Sequence, residues 1–328
     1  MNKVCFRKNG EFGEIAVIEG EKLERFYRLK DGFLTGSVFV GKVRKVTKNL
    51  GAFVDIGQEK DGLLAGEHGL KSGDLVTVTV TKEPTEEKGC ALSENISLPG
   101  KFAVINASGK MSFSRKISEK KREEILNAVK PSGKIGFVFR SLCEQTDIDK
   151  IAEECGRKEE EYREIIKKAA GITKITKLWQ DDARKVAERL SEDGVLTEDF
   201  KGIEEEIKKL GQRKITAGGA EIGFDKTEAL TAVDVNFHRF AREYKDGETA
   251  VFEANRVAIK EIARQIRLRN IGGIIMIDFI SMKNKDNIQN LKNILDEELS
   301  KDSVMAKSEL VESVGMFAVV RKKRFDEI

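Results

Sequence analysis

Residues 230–236, LTAVDVN, and residues 274–280, IIMIDFI, each set one aspartate into an apolar run. The first alternates apolar and polar side chains, which reads as a strand. The second, extended to GGIIMIDFI at 272–280, is continuously apolar and predicts a strand buried on both faces. Between them, FEANRVAIKEIARQIRLRN (252–270) brings Ala258, Ile262 and Ile266 to one face of a helix, and Gly272 and Gly273 follow its end. Beyond them, a helix from about 287 to 299 presents Ile288, Leu291, Leu295 and Leu299 inward, and a final strand-and-helix region carries GMFAVVRKKR (315–324). Upstream, EIGFDKTEALTAVDVN (221–236) holds two strands after a turn at Gly218 and Gly219. Strands alternating with helices predict a layered sheet with helices packed on it.

Working toward the N-terminus, the segment 147–210 is dense in Glu and Lys and reads as almost entirely helical with solvated faces. Between 100 and 140, GKFAVIN and KIGFVFR read as strands and SEKKREEILNAV as a helix. Five short strands are expected within 35–98: GSVFVGKVRKV, GAFVDIG, GLLAG, GDLVTVTVTKE and GCALSENISL. That density of short strands predicts a small Greek-key barrel of the OB type. The first thirty residues alternate around Gly10, Gly13 and Gly20 as a hairpin of strands. The fold class is therefore α+β, and 328 residues suffice for several compact units.

The 59 Lys and Arg against 56 Asp and Glu leave a net charge of +3, so any nucleic-acid surface must come from local clustering. The four cysteines, Cys5, Cys90, Cys143 and Cys155, lack C-x-x-C spacing and read as buried free thiols. No window is apolar enough to span a bilayer and no apolar leader opens the chain, which predicts a cytoplasmic protein with no membrane partner.

An ionised carboxylate inside an apolar strand is costly unless paired or metal-bound. An arginine partner or a helix cap would satisfy Asp234 or Asp278 singly. Two such aspartates on neighbouring elements favour a shared divalent cation, and oxygen ligands suit Mg²⁺, with Mn²⁺ as a substitute. Asn236, two residues beyond Asp234, projects from the same face and can orient a carboxylate or a water. Metal-free ribonuclease chemistry usually needs two histidines, and this chain has only His68 and His238, far apart in sequence. P-loop, GxGxxG and zinc spacings are absent from the sequence.

In the barrel, Phe53 lies among Lys42, Arg44, Lys45, Lys48 and Lys60, the composition of a base-stacking platform with phosphate contacts. Lys82 and Lys88 extend it. Arg140, followed by Ser141, ends the strand KIGFVFR as a candidate terminal-phosphate clamp.

TEALTAVDVN (227–236) and EIARQIRLRNIGGIIMIDFISM (261–282) resemble the catalytic region of the bacterial ribonuclease E/G family. VGKVRKV, GAFVDIG and DGLL resemble that family's S1 domain, and Phe139-Arg140-Ser141 its 5′-monophosphate sensor, with Ser141 where threonine is usual. The resemblance implies an RNase H-like subdomain (1–34 and 176–225) with an inserted S1 barrel (35–98) and 5′-sensor region (99–175), then a DNase I-like α/β catalytic subdomain (226–328). It implies a magnesium-dependent endoribonuclease acting on single-stranded, A/U-rich RNA and leaving 5′-phosphate and 3′-hydroxyl ends. Asp234 and Asp278 fall on the metal-binding aspartates and Asn236 on their supporting asparagine. Phe53 falls on an RNA-stacking phenylalanine, and Lys88 near a basic RNA contact.

Several positions depart from the family pattern. Phe237 and His238 replace a Ser-Gly pair, Val257 a helix glutamate and Leu63 a second S1 aromatic, while Ser313 and Val314 precede Gly315 without the usual arginine. The sequence stops at Ile328, before the family's C-x-x-C zinc-link, so no zinc is expected, and the expected state is a monomer or a dimer joined another way. The alternative is an RNA-binding protein of the same architecture with an eroded site.

Overall fold

The structure, a computed structural model, describes residues 2–237, 247–302 and 304–322. Two compact units divide the chain, one from residues 1–29 and 197–328, the other from residues 30–196.

The first unit opens with an antiparallel meander, β1 (Asn2–Asn9), β2 (Phe12–Glu19) and β3 (Lys22–Lys30), three strands where a hairpin was expected. Cys5, Ala16, Leu23 and Phe26 face a core shared with Phe200, Ile203, Leu210 and Leu268.

In the second unit, β4 (Val38–Thr47), β5 (Gly51–Asp55), β6 (Gly62–Ala65), β7 (Leu75–Lys82) and β8 (Ala91–Ser93) form the expected five-stranded barrel, closed by the β4–β7 pairing. Val43, Ala52, Val54, Leu64, Val78 and Val80 fill it. Gly51 (φ +132°) makes a close approach within the barrel, because a Cβ there would lie 2.1 Å from the Leu64 carbonyl oxygen. The stretch read as the fifth barrel strand divides. Ala91–Ser93 stays in the barrel, whereas β9 (Ser97–Pro99) joins a second sheet with β10 (Ala103–Asn106), β11 (Ser112–Phe113) and β12 (Gly136–Phe139). Helices α1 (Glu119–Ala128) and α2 (Ile148–Ala170) cover that sheet through Ile125, Ile151 and Cys155. The region 147–210 is less helical than its composition suggests. After α2 come β13 (Thr176–Trp179), paired with β4, then the short helices α3 (Ala183–Leu190) and α4 (Glu204–Lys209).

The chain then builds a six-stranded sheet within the first unit from β14 (Lys214–Ala217), β15 (Ala220–Lys226), β16 (Leu230–Phe237), β17 (Gly273–Asp278), β18 (Ala306–Val311) and β19 (Met316–Arg321). Its order is β14-β15-β16-β17-β19-β18, with β16 and β17 parallel and the other neighbours antiparallel. Gly218 (φ +53°) and Gly219 (φ +90°) supply the two left-handed residues of a two-residue hairpin between β14 and β15. The parallel pair is linked through α5 (Gly247–Leu268), and α6 (Lys285–Ser300) follows β17. Both helices pack on one face of the sheet. Ala258, Ile259, Ile262 and Ile266 of α5 and Leu291, Leu295 and Leu299 of α6 meet Ile222, Val233, Val235, Ile275, Ile277 and Val319. Each of these leucine, isoleucine and valine side chains contributes about 1.5–3 kcal/mol when fully buried.

The other face is exposed among the described residues, which corrects the expectation that GGIIMIDFI is buried on both sides. Ile274 is 47% exposed and Val320, its neighbour on β19, 58%. The expected final strand and helix are the two strands β18 and β19 over the described residues.

Candidate active site

The open face carries the aspartates. Along β16, Thr231, Val233 and Val235 are buried while Ala232, Asp234 and Asn236 are exposed. Along β17, Ile275 and Ile277 are buried while Asp278, the last residue of the strand, is exposed. Parallel register sets Asp234 directly against Asp278. Exposure removes the desolvation argument made from sequence, because neither carboxylate lies in an apolar interior. β16 continues three residues beyond Asp234, to Phe237.

Two like charges side by side on a sheet repel. Asn236 donates from Nδ2 to Asp234 Oδ2. Among the described residues, no arginine, lysine or histidine pairs with either aspartate, and no third His, Cys, Asp or Glu joins them. On the other side of β16, Gly223 is the register partner of Asp234 and leaves its flank free of a side chain. Glu221 lies opposite Asn236 and is paired with Lys214 Nζ at 2.7 Å. A carboxylate pair with no protein cation, one member held by an amide, fits a divalent ion. Mg²⁺ commonly takes one or two carboxylates and completes its shell with water and phosphate.

Of the other residues singled out, His238 and the Phe237 side chain lie outside the described residues, as do Lys323 and Arg324 of the closing basic run. Arg321 is buried, donating to Asp302 Oδ2 at 2.8 Å and to the Ile271 carbonyl oxygen at 2.8 Å, so it is a structural residue.

On the barrel, Phe53 is half-buried and outside the core, between inward Ala52 and Val54. A bulge in β4 between Val43 and Lys45 places exposed Arg44 and Lys45 consecutively and sets Lys45 opposite Phe53. Leu63 is opposite Phe53 on the other side, so the row reads Lys45, Phe53, Leu63. Lys42 is exposed and opposite Asp55, which is ion-paired with Arg44. The Gly57 amide at 2.8 Å, and then Arg44, hold the Asp55 carboxyl below its usual range. Lys88 closes an exposed turn on Thr85, and its amide donates to Thr85 Oγ1 at 3.1 Å. His68 lies in the loop after β6, with Nε2 2.9 Å from the Ala65 carbonyl oxygen and Nδ1 against Glu94.

Arg140 follows β12 directly, is half-buried, and its amide donates to the Phe102 carbonyl oxygen at 2.8 Å. Ser141 opens the 3₁₀ turn Ser141–Gln145 and is exposed. Both sit at one end of the four-stranded sheet, beside Phe113 and Phe139, whose rings stack at 5.0 Å.

Sequence reasoning missed Asn255. This α5 side chain is fully buried, donates to the Ile280 carbonyl oxygen at 2.8 Å and accepts the Ile280 amide at 3.0 Å. Its signal was present, since Asn255 shares the helical phase of Ile259, Ile262 and Ile266.

The family model described as the Ribonuclease E/G family matches residues 97–201 and 172–324. The chain belongs to the ribonuclease E/G family. Ribonuclease G of Escherichia coli (strain K12) is 26% identical over 383 aligned positions, covering 96% of this chain and 78% of that protein. Ribonuclease E of the same strain is 27% identical over 94% of this chain and 35% of its own length. Ribonuclease E of Synechocystis sp. is 27% identical over 88% of this chain and 52% of its own. Membership of the ribonuclease E/G family makes this chain an endoribonuclease. No helix among its described residues is long and apolar enough to cross a membrane.

Proposed function

We propose that this ribonuclease E/G family member cuts single-stranded, A/U-rich RNA at the Asp234–Asp278 pair, leaving 5′-phosphate and 3′-hydroxyl ends, in RNA processing and decay. The observation that carries this reading is the register of two cation-free carboxylates on an open sheet face.

Asp234 and Asp278 would hold Mg²⁺, or Mn²⁺ in its place. The ion supplies Lewis-acid charge for the phosphodiester and a water of lowered pKa. Asn236 holds the Asp234 side chain by donating to one of its carboxylate oxygens. An open face admits an extended strand of RNA, which a site between two layers would exclude.

The barrel is the RNA platform. Phe53 offers an outward aromatic surface beside Lys45 for stacking a base, with Lys42 and Lys88 as phosphate contacts. Arg140 and Ser141 take the 5′-terminal phosphate. The segments read as RNase H-like (1–34, 176–225), S1 (35–98), 5′-sensor (99–175) and DNase I-like (226–328) belong to the same proposal.

The test is cleavage of a short A/U-rich single strand carrying a 5′-monophosphate or a 5′-hydroxyl, in Mg²⁺ and in EDTA. Wild type cuts only with the metal. Asp234→Asn and Asp278→Asn bind the RNA but lose at least about a hundredfold in rate. Intact binding with no cutting by wild type sinks the active-nuclease reading and leaves an RNA-binding protein of this fold.

A further inference from the structure

Asp278 is the last residue of β17, and its ladder contacts are uneven. On one side it faces Asp234; on the other, the β19 pairing stops one residue earlier, at Ile277–Phe317. The chain then runs through 279–284 without regular structure before α6. Unsupported, such an exit would leave the direction of the Asp278 side chain loosely set.

Helix α5 supplies the support. The Asn255 carboxamide meets both backbone groups of Ile280, two residues beyond Asp278, as donor at 2.8 Å and acceptor at 3.0 Å. It continues the interrupted ladder with a side chain. Between Asp278 and Ile280, Phe279 meets Phe317 edge-on at 5.2 Å. Further along, Glu248 of α5 accepts the amides of Lys283 at 3.0 Å and Asn284 at 2.9 Å, and Asn284 in turn caps α6.

The chemistry at position 255 is narrow. The site needs one donor and one acceptor on a short side chain. Leucine would orphan both Ile280 groups in a buried setting, aspartate would turn a second oxygen toward the carbonyl, and glutamine is a methylene too long.

We propose that Asn255 is a positioning residue for the cation site: by clamping Ile280 it fixes the exit of β17 and hence the carboxylate of Asp278. This rests on the reading of Asp234 and Asp278 as the cation pair. Asn255 is fully buried and its carboxamide is engaged by Ile280. Its effect is that of an outer support, whose loss typically weakens metal affinity by about 10- to 100-fold.

The experiment measures Mn²⁺ binding by electron paramagnetic resonance on the full chain, alongside the Mg²⁺ midpoint of RNA cleavage and the affinity for RNA in EDTA. Asn255→Ala is compared with Asp278→Asn and with Ile262→Ala, another fully buried α5 side chain with no polar contact to Ile280. Asn255→Ala weakens Mn²⁺ binding and raises the Mg²⁺ midpoint by about tenfold or more, with RNA affinity unchanged. Ile262→Ala loses stability and keeps both cation values. Where Asn255→Ala does not fold, Asn255→Ser, a small neutral side chain too short to hold both Ile280 groups, gives the same shift. Mn²⁺ binding lost in Asp278→Asn but at the wild-type value in the Asn255 variants overturns the proposal alone. Mn²⁺ binding that survives Asp278→Asn overturns the carboxylate assignment, and the proposal with it.

Discussion

Asp234 and Asp278 stand opposite each other across the parallel β16–β17 ladder, both exposed and neither paired with a cation among the described residues. Everything proposed for the chemistry of this protein follows from that juxtaposition.

Adjacent like charges on a sheet are destabilising by roughly 0.2–1 kcal/mol. Asp278→Asn therefore raises the melting temperature in EDTA, by a few degrees at most, although it abolishes cleavage. Mg²⁺ raises the melting temperature of wild type and not of the variant. Calorimetry in both buffers checks the reversal, and a variant no more stable than wild type in EDTA would show that the repulsion is already screened.

Phe53 and Leu64 are neighbours on the barrel with opposite fates. Phe53 faces outward, whereas Leu64 is 1% exposed in the core. Phe53→Ala weakens RNA binding by about 1–3 kcal/mol and barely moves the melting temperature. Leu64→Ala costs about 2–5 kcal/mol of stability. Fluorescence anisotropy with a short RNA, paired with thermal melts, separates the two.

His68 meets an acceptor at each ring nitrogen, so only the imidazolium satisfies both. The Ala65 carbonyl, and then the Glu94 carboxylate, push its pKa up from the ordinary value. A group whose folded pKa is raised stabilises fully below its ordinary pKa and loses that contribution as pH rises through the folded value. The melting-temperature gap between wild type and His68→Ala is thus widest below about pH 6.5 and closes above it. Its size stays under about 1 kcal/mol, as befits a surface pair. A gap that widens with pH would mean the ring is neutral in the fold.

All four cysteines are buried and free. Burial pushes the Cys90 and Cys143 thiols up to about 11 and Cys155 to about 12. Thiolate is the reactive form, so a colorimetric thiol reagent at pH 8 finds these groups silent in the native protein and all four reactive in guanidinium. Fast native labelling at any of them would contradict the packing of the unit that contains it.

Much of the architecture was legible. The five barrel strands, the apolar faces of α5 and α6 and the Gly218–Gly219 turn each carry local signals: closely spaced β-runs, helical periodicity and left-handed glycines. The strands missed were one strand of the N-terminal meander, β11, β13, β14 and β18, and β11, β13, β14 and β18 each lie at the edge of their sheet. Edge strands are solvated along one side and carry mixed polar composition, which blurs their alternation. The burial of β17 was misread because Ile274 and Met276 are apolar on a face that nothing in the first unit's sheet core covers. From sequence, an apolar residue facing water and one beneath a second layer look alike.

The sequence by itself determined which residues could do chemistry. It placed aspartates, an asparagine and an outward phenylalanine in strands, and period-two alternation put Asp234 and Asn236 on one side. Only the tertiary structure decided that Asp234 meets Asp278, that their face is open, and that Asn255 grips the loop beyond. Alternation is a local property of each strand. Register between distant strands, and the pairing of a helix amide with a far backbone, depend on how the whole sheet and its helices pack.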